Sequence, residues 1–62
     1  MTAPPQLLDV AGAAAYLTVT EHFVRRLVRE RRVPFHKLGR FVRFDPADLD
    51  AFVKAGRMEA RL

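Results

Sequence analysis

Sixty-two residues leave room for one domain, and a composition that is 50% hydrophobic argues for a compact core rather than disorder. The absence of cysteine excludes a disulfide framework and any thiolate metal site, and no apolar run approaches the ~18–20 residues of a membrane span. The formal net charge is +4, and the cations are clustered: Arg25, Arg26, Arg29, Arg31, Arg32, Lys37, Arg40 and Arg43 share their stretch with one acid, Glu30.

A cluster of this kind attracts a polyanion, which leaves DNA, RNA or an anionic membrane surface. The plainer alternative is a solvated basic face. The opening segment MTAPPQLLDV lacks a basic start and a long apolar stretch, so it does not read as a signal peptide. With no cysteine, the composition fits a reducing, intracellular setting.

Residues 1–8 read as an extended, mobile arm, because Ala3-Pro4-Pro5 cannot start a helix there. A single domain is expected over residues 9–56, followed by a frayed tail over 57–62. The first helix follows Asp9, a good N-cap. Val10, Ala13, Ala14 and Leu17 recur at helical spacing and form its buried face, with Tyr16 at the margin. The alanines leave little bulk, so a second helix can approach closely. Thr18-Val19-Thr20 then breaks the helix, and Thr20 is expected to cap the next one.

The second helix is expected from Glu21 to about Arg31. With Val24 as the reference at 100° per residue, Leu27 and Val28 lie within about 60° of it, whereas Arg25, Arg29, His22 and Arg26 fall between about 100° and 200°. One face is apolar and the opposite face basic. Val33-Pro34 is expected to end this helix, since the residue before proline disfavours helical backbone.

Phe35 to Phe44 reads as a β-hairpin with Gly39 at its centre. A two-residue turn at Gly39-Arg40 would set Leu38 opposite Phe41 and Lys37 opposite Val42, mixing charged and apolar residues on both faces. A three-residue loop over 39–41 sets Leu38 opposite Val42 and His36 opposite Phe44. Leu38, Val42 and Phe44 then share an inner face, and Lys37 and Arg43 an outer one. Separated faces favour the second register, with Arg40 and Phe41 at the tip. The last helix has Asp45 as N-cap, Pro46 in the first helical position and Asp48 in the first turn. Leu49, Phe52 and Val53 are expected to face the core, and Gly56 to supply the C-terminal stop.

Two short helices joined by a tight turn, the second with a basic face, suit the DNA major groove, which admits one α-helix. The expected contacts on this helix are Thr20, whose neighbouring backbone N–H groups can bind a phosphate, and His22, Arg25, Arg26 and Arg29. The arginines reach guanine edges or phosphates alike, and phosphate neutralisation alone is the alternative. On the hairpin, Lys37, Arg40 and Arg43 would touch the backbone or enter the minor groove; simple solubilising charge is the other reading. Phe41 at the tip has three possible uses: closing the hairpin, contacting sugar or meeting a neighbouring protein. Packing within the hairpin is the plainest.

An enzymatic reading finds no support. Serine is absent, His22 and His36 sit on different elements, and capping explains Asp45 and Asp48. No glycine loop cradles a phosphate. His36 is expected at the margin between hairpin and core rather than at a metal. No catalytic residue, metal or cofactor is therefore expected.

The order of these features resembles a known family. Leu8-Asp9-Val10-Ala11 through Ala14-Ala15-Tyr16-Leu17, Val19-Thr20, and Val24-Arg25-Arg26-Leu27-Val28-Arg29-Glu30 are similar to the excisionase-like helix-turn-helix proteins, small relatives of the MerR DNA-binding domain. The likeness continues through Val33-Pro34, Lys37-Leu38-Gly39-Arg40, Val42-Arg43-Phe44 and Asp48-Leu49-Asp50-Ala51-Phe52. Three positions depart from the pattern. Thr18 and Arg31 stand where glycine is usual, and Val42 stands near where tryptophan often is.

The resemblance implies a mainly α fold: three short helices and a two-stranded wing, a winged helix-turn-helix. It implies a non-enzymatic protein that binds and bends double-stranded attachment-site DNA, steers an integrase toward excision and associates head to tail with its own copies. It also implies a cytoplasmic, nucleoid-associated setting in a bacterium or phage-infected host. A small stand-alone transcriptional regulator of the same fold is the alternative. A pure protein-interaction module using Phe41 and the tail is the reading from another class.

Overall fold

The computed structural model describes residues 6–58. In chain order the elements are α1 (Val10–Leu17), α2 (Glu21–Arg29), β1 (His36–Leu38), β2 (Phe41–Arg43) and α3 (Pro46–Ala55). Three helices and one antiparallel hairpin make the mainly helical, winged architecture that the sequence pattern predicts. Residues 1–5 of the expected arm and 59–62 of the expected tail lie outside the described residues. Among the described residues, no helix is long and apolar enough to cross a membrane.

Each helix starts where the caps place it. The Asp9 carboxylate accepts from Gly12 N at 2.7 Å, the Thr20 hydroxyl from Phe23 N at 3.1 Å and the Asp45 carboxylate from Ala47 N at 2.9 Å. Each cap satisfies an N–H group that the helix leaves without an internal acceptor.

The helix ends share one device. Thr18 has φ 59 and Arg31 has φ 53, both left-handed. After α1, Val19 N donates to Ala14 O at 2.9 Å; after α2, Arg32 N donates to Leu27 O at 2.9 Å. These are the six-to-one bonds of Schellman stops, which glycine normally serves because a Cβ is strained in this conformation. The two positions where the chain departs from the glycines of the resembled family therefore keep the glycine conformation without the glycine. The second stop also corrects the expected end of α2. The helix finishes at Arg29, with Glu30 as its C-cap, before Val33-Pro34 is reached, and Arg31 lies outside it.

The core consists of Ala13, Ala14, Val24, Leu27, Val33, Phe44 and Leu49. α1 packs against α2 and α3, its paired alanines admitting Val24 and Leu27. Val10, Leu17, Val28 and Phe52 are half-buried around this centre. Val53 is not part of it. Expected inside, it is 57% exposed, because α3 turns mainly Leu49 inward and leaves Phe52 at the edge. Gly56 caps α3 at φ −91, so its stop is not left-handed; its N–H donates to Val53 O and Phe52 O instead.

The hairpin register differs from expectation. Leu38 pairs with Phe41, Lys37 with Val42 and His36 with Arg43. The turn is the two-residue Gly39-Arg40, with a positive φ of 64 at Gly39 and none at Arg40, as a type II′ turn requires. The expected register rested on a buried inner face. Here all three β1 residues are exposed, so no buried face selects the register and the turn chemistry decides it. Leu38 consequently points outward, at 52% exposure, while Val42 stays half-buried against the core.

Phe44 is fully buried. Its main chain forms a two-bond bridge with Leu8, Leu8 N to Phe44 O at 2.8 Å and Phe44 N to Leu8 O at 2.7 Å. Leu8, expected within the mobile arm, is thus tied to the base of the wing. A second long-range tie joins α1 to α3: the Tyr16 hydroxyl donates to Asp50 Oδ1 at 2.6 Å.

Replacing Thr18 or Arg31 by Gly removes left-handed strain, partly offset by the greater chain entropy of glycine, and is expected to stabilise the fold by about 1 kcal/mol at each site. Urea unfolding of the two single variants checks this. The Tyr16–Asp50 bond generates a pH dependence. Donation to the carboxylate raises the Tyr16 pKa above its ordinary 10.0. The folded state then holds the phenolic proton more tightly than the unfolded chain, so the stabilisation is complete below pH 10.0 and is lost as pH rises through the folded value. Tyr16→Phe is expected to lower stability at neutral pH and to flatten its decline in alkali, as thermal melts across that range will show.

Candidate nucleic-acid interface

The basic residues of α2 follow from its amphipathic spacing. Val24 and Leu27 are buried, which turns His22, Arg25, Arg26 and Arg29 to solvent. Thr20, at the head of the helix, uses its hydroxyl oxygen as the cap acceptor and keeps its proton to donate outward.

The arginines are not equally free. Arg25 Nη2 lies 3.2 Å from Glu21 Oε1, and Arg26 Nε lies 3.0 Å from Glu30 Oε2, both pairs one helical turn apart. Arg32 Nη1 reaches the other Glu30 oxygen at 3.6 Å. The Arg26 hydrogen bond is the main reason the Glu30 pKa lies below its ordinary value; partial desolvation opposes it, and the charges of Arg26 and Arg32 add to the lowering. Among the described residues, Arg29 and His22 have no ion-pair partner. Helical spacing alone predicts one basic face for all four. The signal for the pairing was present: Glu21 and Arg25, and Arg26 and Glu30, stand at i and i+4, where oppositely charged side chains meet.

The wing residues divide by register. Lys37 and Arg40 are exposed. Arg43 is half-buried; its Nη1 donates to Val42 O at 2.8 Å. The guanidinium carbons of Arg40 and Arg43 stand 5.4 and 5.1 Å from the centre of the Phe41 ring, within range of cation–π attraction. Phe41 is 51% exposed, and its recorded ring contacts are these two side chains of the hairpin itself.

Helix and wing meet. An open cleft of ≈ 380 Å³ is lined by Arg25 from α2 and by Arg40, Phe41 and Arg43 from the wing, together with the acids Asp9 and Glu21. Three of the expected contact residues therefore share one site. His22, Arg26, Arg29 and Lys37 do not line this cleft.

His36 also departs from expectation. It is exposed rather than at the core margin, since the observed register puts it on the outer face of the hairpin. One potential ligand atom each from His36, Asp45 and Asp48 lies within 4.8 Å of the others. Both acids have structural roles at the start of α3, Asp45 as its cap and Asp48 in its first turn, where the helix dipole favours negative charge.

A short helix, a tight left-handed turn, a second helix with an exposed basic face and a cationic hairpin beside it define a winged helix-turn-helix, a non-catalytic DNA-binding class of domain. The chain belongs to the helix-turn-helix domain family, whose pattern matches residues 7–57. No curated protein and no solved structure matches the chain.

Glu30 holds the Arg26 guanidinium in an exposed ion pair. Glu30→Gln is expected to tighten binding to a duplex by roughly two- to fivefold at low salt, with the gain shrinking as salt screens the exposed pair. Fluorescence anisotropy across a salt series measures both.

Proposed function

We propose that this protein is a sequence-specific, excisionase-type accessory factor that binds and bends attachment-site DNA and steers an integrase toward excision. The observation that carries the DNA-binding geometry is the shared cleft: Arg25 of α2 and Arg40 and Arg43 of the wing line it together. A helix in the major groove and a wing over the adjacent minor groove can then grip one strand between them.

In this reading Thr20 and the N–H groups at the start of α2 hold a phosphate. His22, Arg25 and Arg26 reach base edges, and Arg29 contacts base or backbone. Lys37, Arg40 and Arg43 follow the backbone beside and within the minor groove. The excision role is supported by the ordered likeness to excisionases from Leu8 to Phe52. Head-to-tail association on repeated sites and a partner integrase belong to that same likeness, as does action in a bacterial or phage-infected cytoplasm.

Footprinting on attachment-site DNA, combined with an in vitro excision assay, tests the role. Protected sites and excision that depends on the protein are expected. Excision that runs equally well without it would overturn the role, and a promoter footprint with no effect on recombination would mark a transcriptional regulator of the same fold. At residue level, Arg26→Ala is expected to weaken specific binding by about 1–3 kcal/mol and to relax the base preference at one position. An equal loss on every sequence would reassign Arg26 to a phosphate.

A further inference from the structure

We propose that the tip of the wing is an apolar wedge for the DNA minor groove, with the Phe41 ring inserted at a base step and Leu38 supporting it. The inference rests on the DNA-binding reading above and adds to it a means by which this domain deforms the duplex.

The first observation is a pair of misplaced apolar side chains. Leu38 and Phe41 are directly opposed across the hairpin, and each is about half exposed, at 52% and 51%. The hairpin can bury an aromatic where it has a use for one inside, because Phe44, three residues on, is fully buried. The observed register instead sets Leu38 and Phe41 side by side on the outer face, at the very end of the wing.

The second observation is how the ring is held. Arg40 and Arg43 both place a guanidinium near it, at 5.4 and 5.1 Å from its centre. The ring therefore carries two cations over it. An apolar tip that carries cations suits a groove in which sugar walls and base steps lie between two lines of negative charge. The minor groove has that form, with base edges and sugar walls between phosphate backbones, and known minor-groove proteins insert Phe or Leu there beside Arg. A protein groove suited to a bare apolar tip would have to neutralise Lys37, Arg40 and Arg43 as well, so the charge favours the nucleic acid.

The third observation is shape. The turn has two residues, and nothing lies within 4 Å of where a Cβ would sit on Gly39, so the tip is bare. Paired strands lie about 4.8 Å apart and the minor groove is about 6 Å wide. A blade one hairpin thick can enter once the groove opens, which insertion between base steps brings about. Phe41 also lines the cleft that contains Arg25. A wedge seated there would act next to the turn of DNA that α2 occupies.

The test uses the full chain and a duplex of about 20 base pairs with a central A·T tract containing a TA step, a step that unstacks easily. 2-Aminopurine replaces the adenine of that step, and a donor and acceptor dye mark the two ends. At low salt, the wild-type protein is expected to bind, to raise the 2-aminopurine fluorescence several-fold and to bring the ends closer. Phe41→Ala is expected to lose both signals, with affinity falling by no more than about tenfold, because the unstacking that it avoids offsets the contact that it gives up. Phe41→Leu, which keeps an apolar wedge, is expected to retain part of each signal. Circular dichroism of each variant confirms the fold.

Phe41→Ala with an undiminished fluorescence rise overturns the wedge. Wild-type binding with no rise also overturns it and leaves the DNA-binding reading intact. Failure of the wild type to bind the duplex overturns that reading and the wedge with it. If Phe41→Ala instead lowers the sedimenting mass of the protein without changing the fluorescence, the tip is a protein contact and the proposal is wrong.

Discussion

The direction of the second helix is set at one residue. Thr18 adopts a left-handed backbone at φ 59, ends α1 and hands the chain to the Thr20 cap two residues later. That turn lets α2 lie back across α1, and the contact forms because Ala13 and Ala14 present almost no side-chain volume to Val24 and Leu27. Once those apolar residues are inside, helical periodicity leaves the arginines no choice but to face out. The basic face is thus a consequence of the packing on its opposite side. A threonine with a Cβ in this conformation stores strain, and the surrounding bonds hold it there. Val19 N to Ala14 O on one side and the Thr20 cap on the other leave the backbone little alternative.

The wing depends on a different anchor. Its two strands are short and exposed, and a hairpin of that size is marginal alone. Burial of Phe44 and the two main-chain bonds to Leu8 fasten its base to the helical core. With the base fixed, the tip is free to carry side chains that contribute nothing to the core. Along one hairpin, Phe44 is buried in the core, whereas Arg40 and Phe41 are exposed near the tip.

The electrostatics of the face are less uniform than its charge count suggests. Glu21 and Glu30 hold Arg25 and Arg26 in position on the bare protein. Exposed pairs of this kind contribute little to stability. Any acceptor that either guanidinium takes in place of its carboxylate must displace that pair. Among the described residues, Arg29 and His22 carry no such restraint.

Local chemistry made most of the fold legible. Asp9, Thr20 and Asp45 announce the three helix starts because a cap acts over three residues and needs no distant partner. The buried alanines of α1 and the Val24–Leu27 stripe of α2 are legible for the same reason, periodicity. Composition and charge spacing together mark the basic face. What the sequence could not decide depended on balances between distant groups. The hairpin register was one such balance: separation of faces argued for a three-residue loop, but without a buried face on β1 the Gly39-Arg40 turn prevailed. Val53 was another, since its periodicity is right and its exposure reflects where α3 sits against α1. The pairing of Leu8 with Phe44 and of Tyr16 with Asp50 brings together residues more than thirty positions apart. The sequence by itself thus determined the elements, their caps and the sign of the face they present, because these follow from interactions within a few residues. Tertiary structure alone decided the outward turn of Leu38 and Phe41 and the meeting of Arg25 with the wing, because both follow from how separately formed pieces pack.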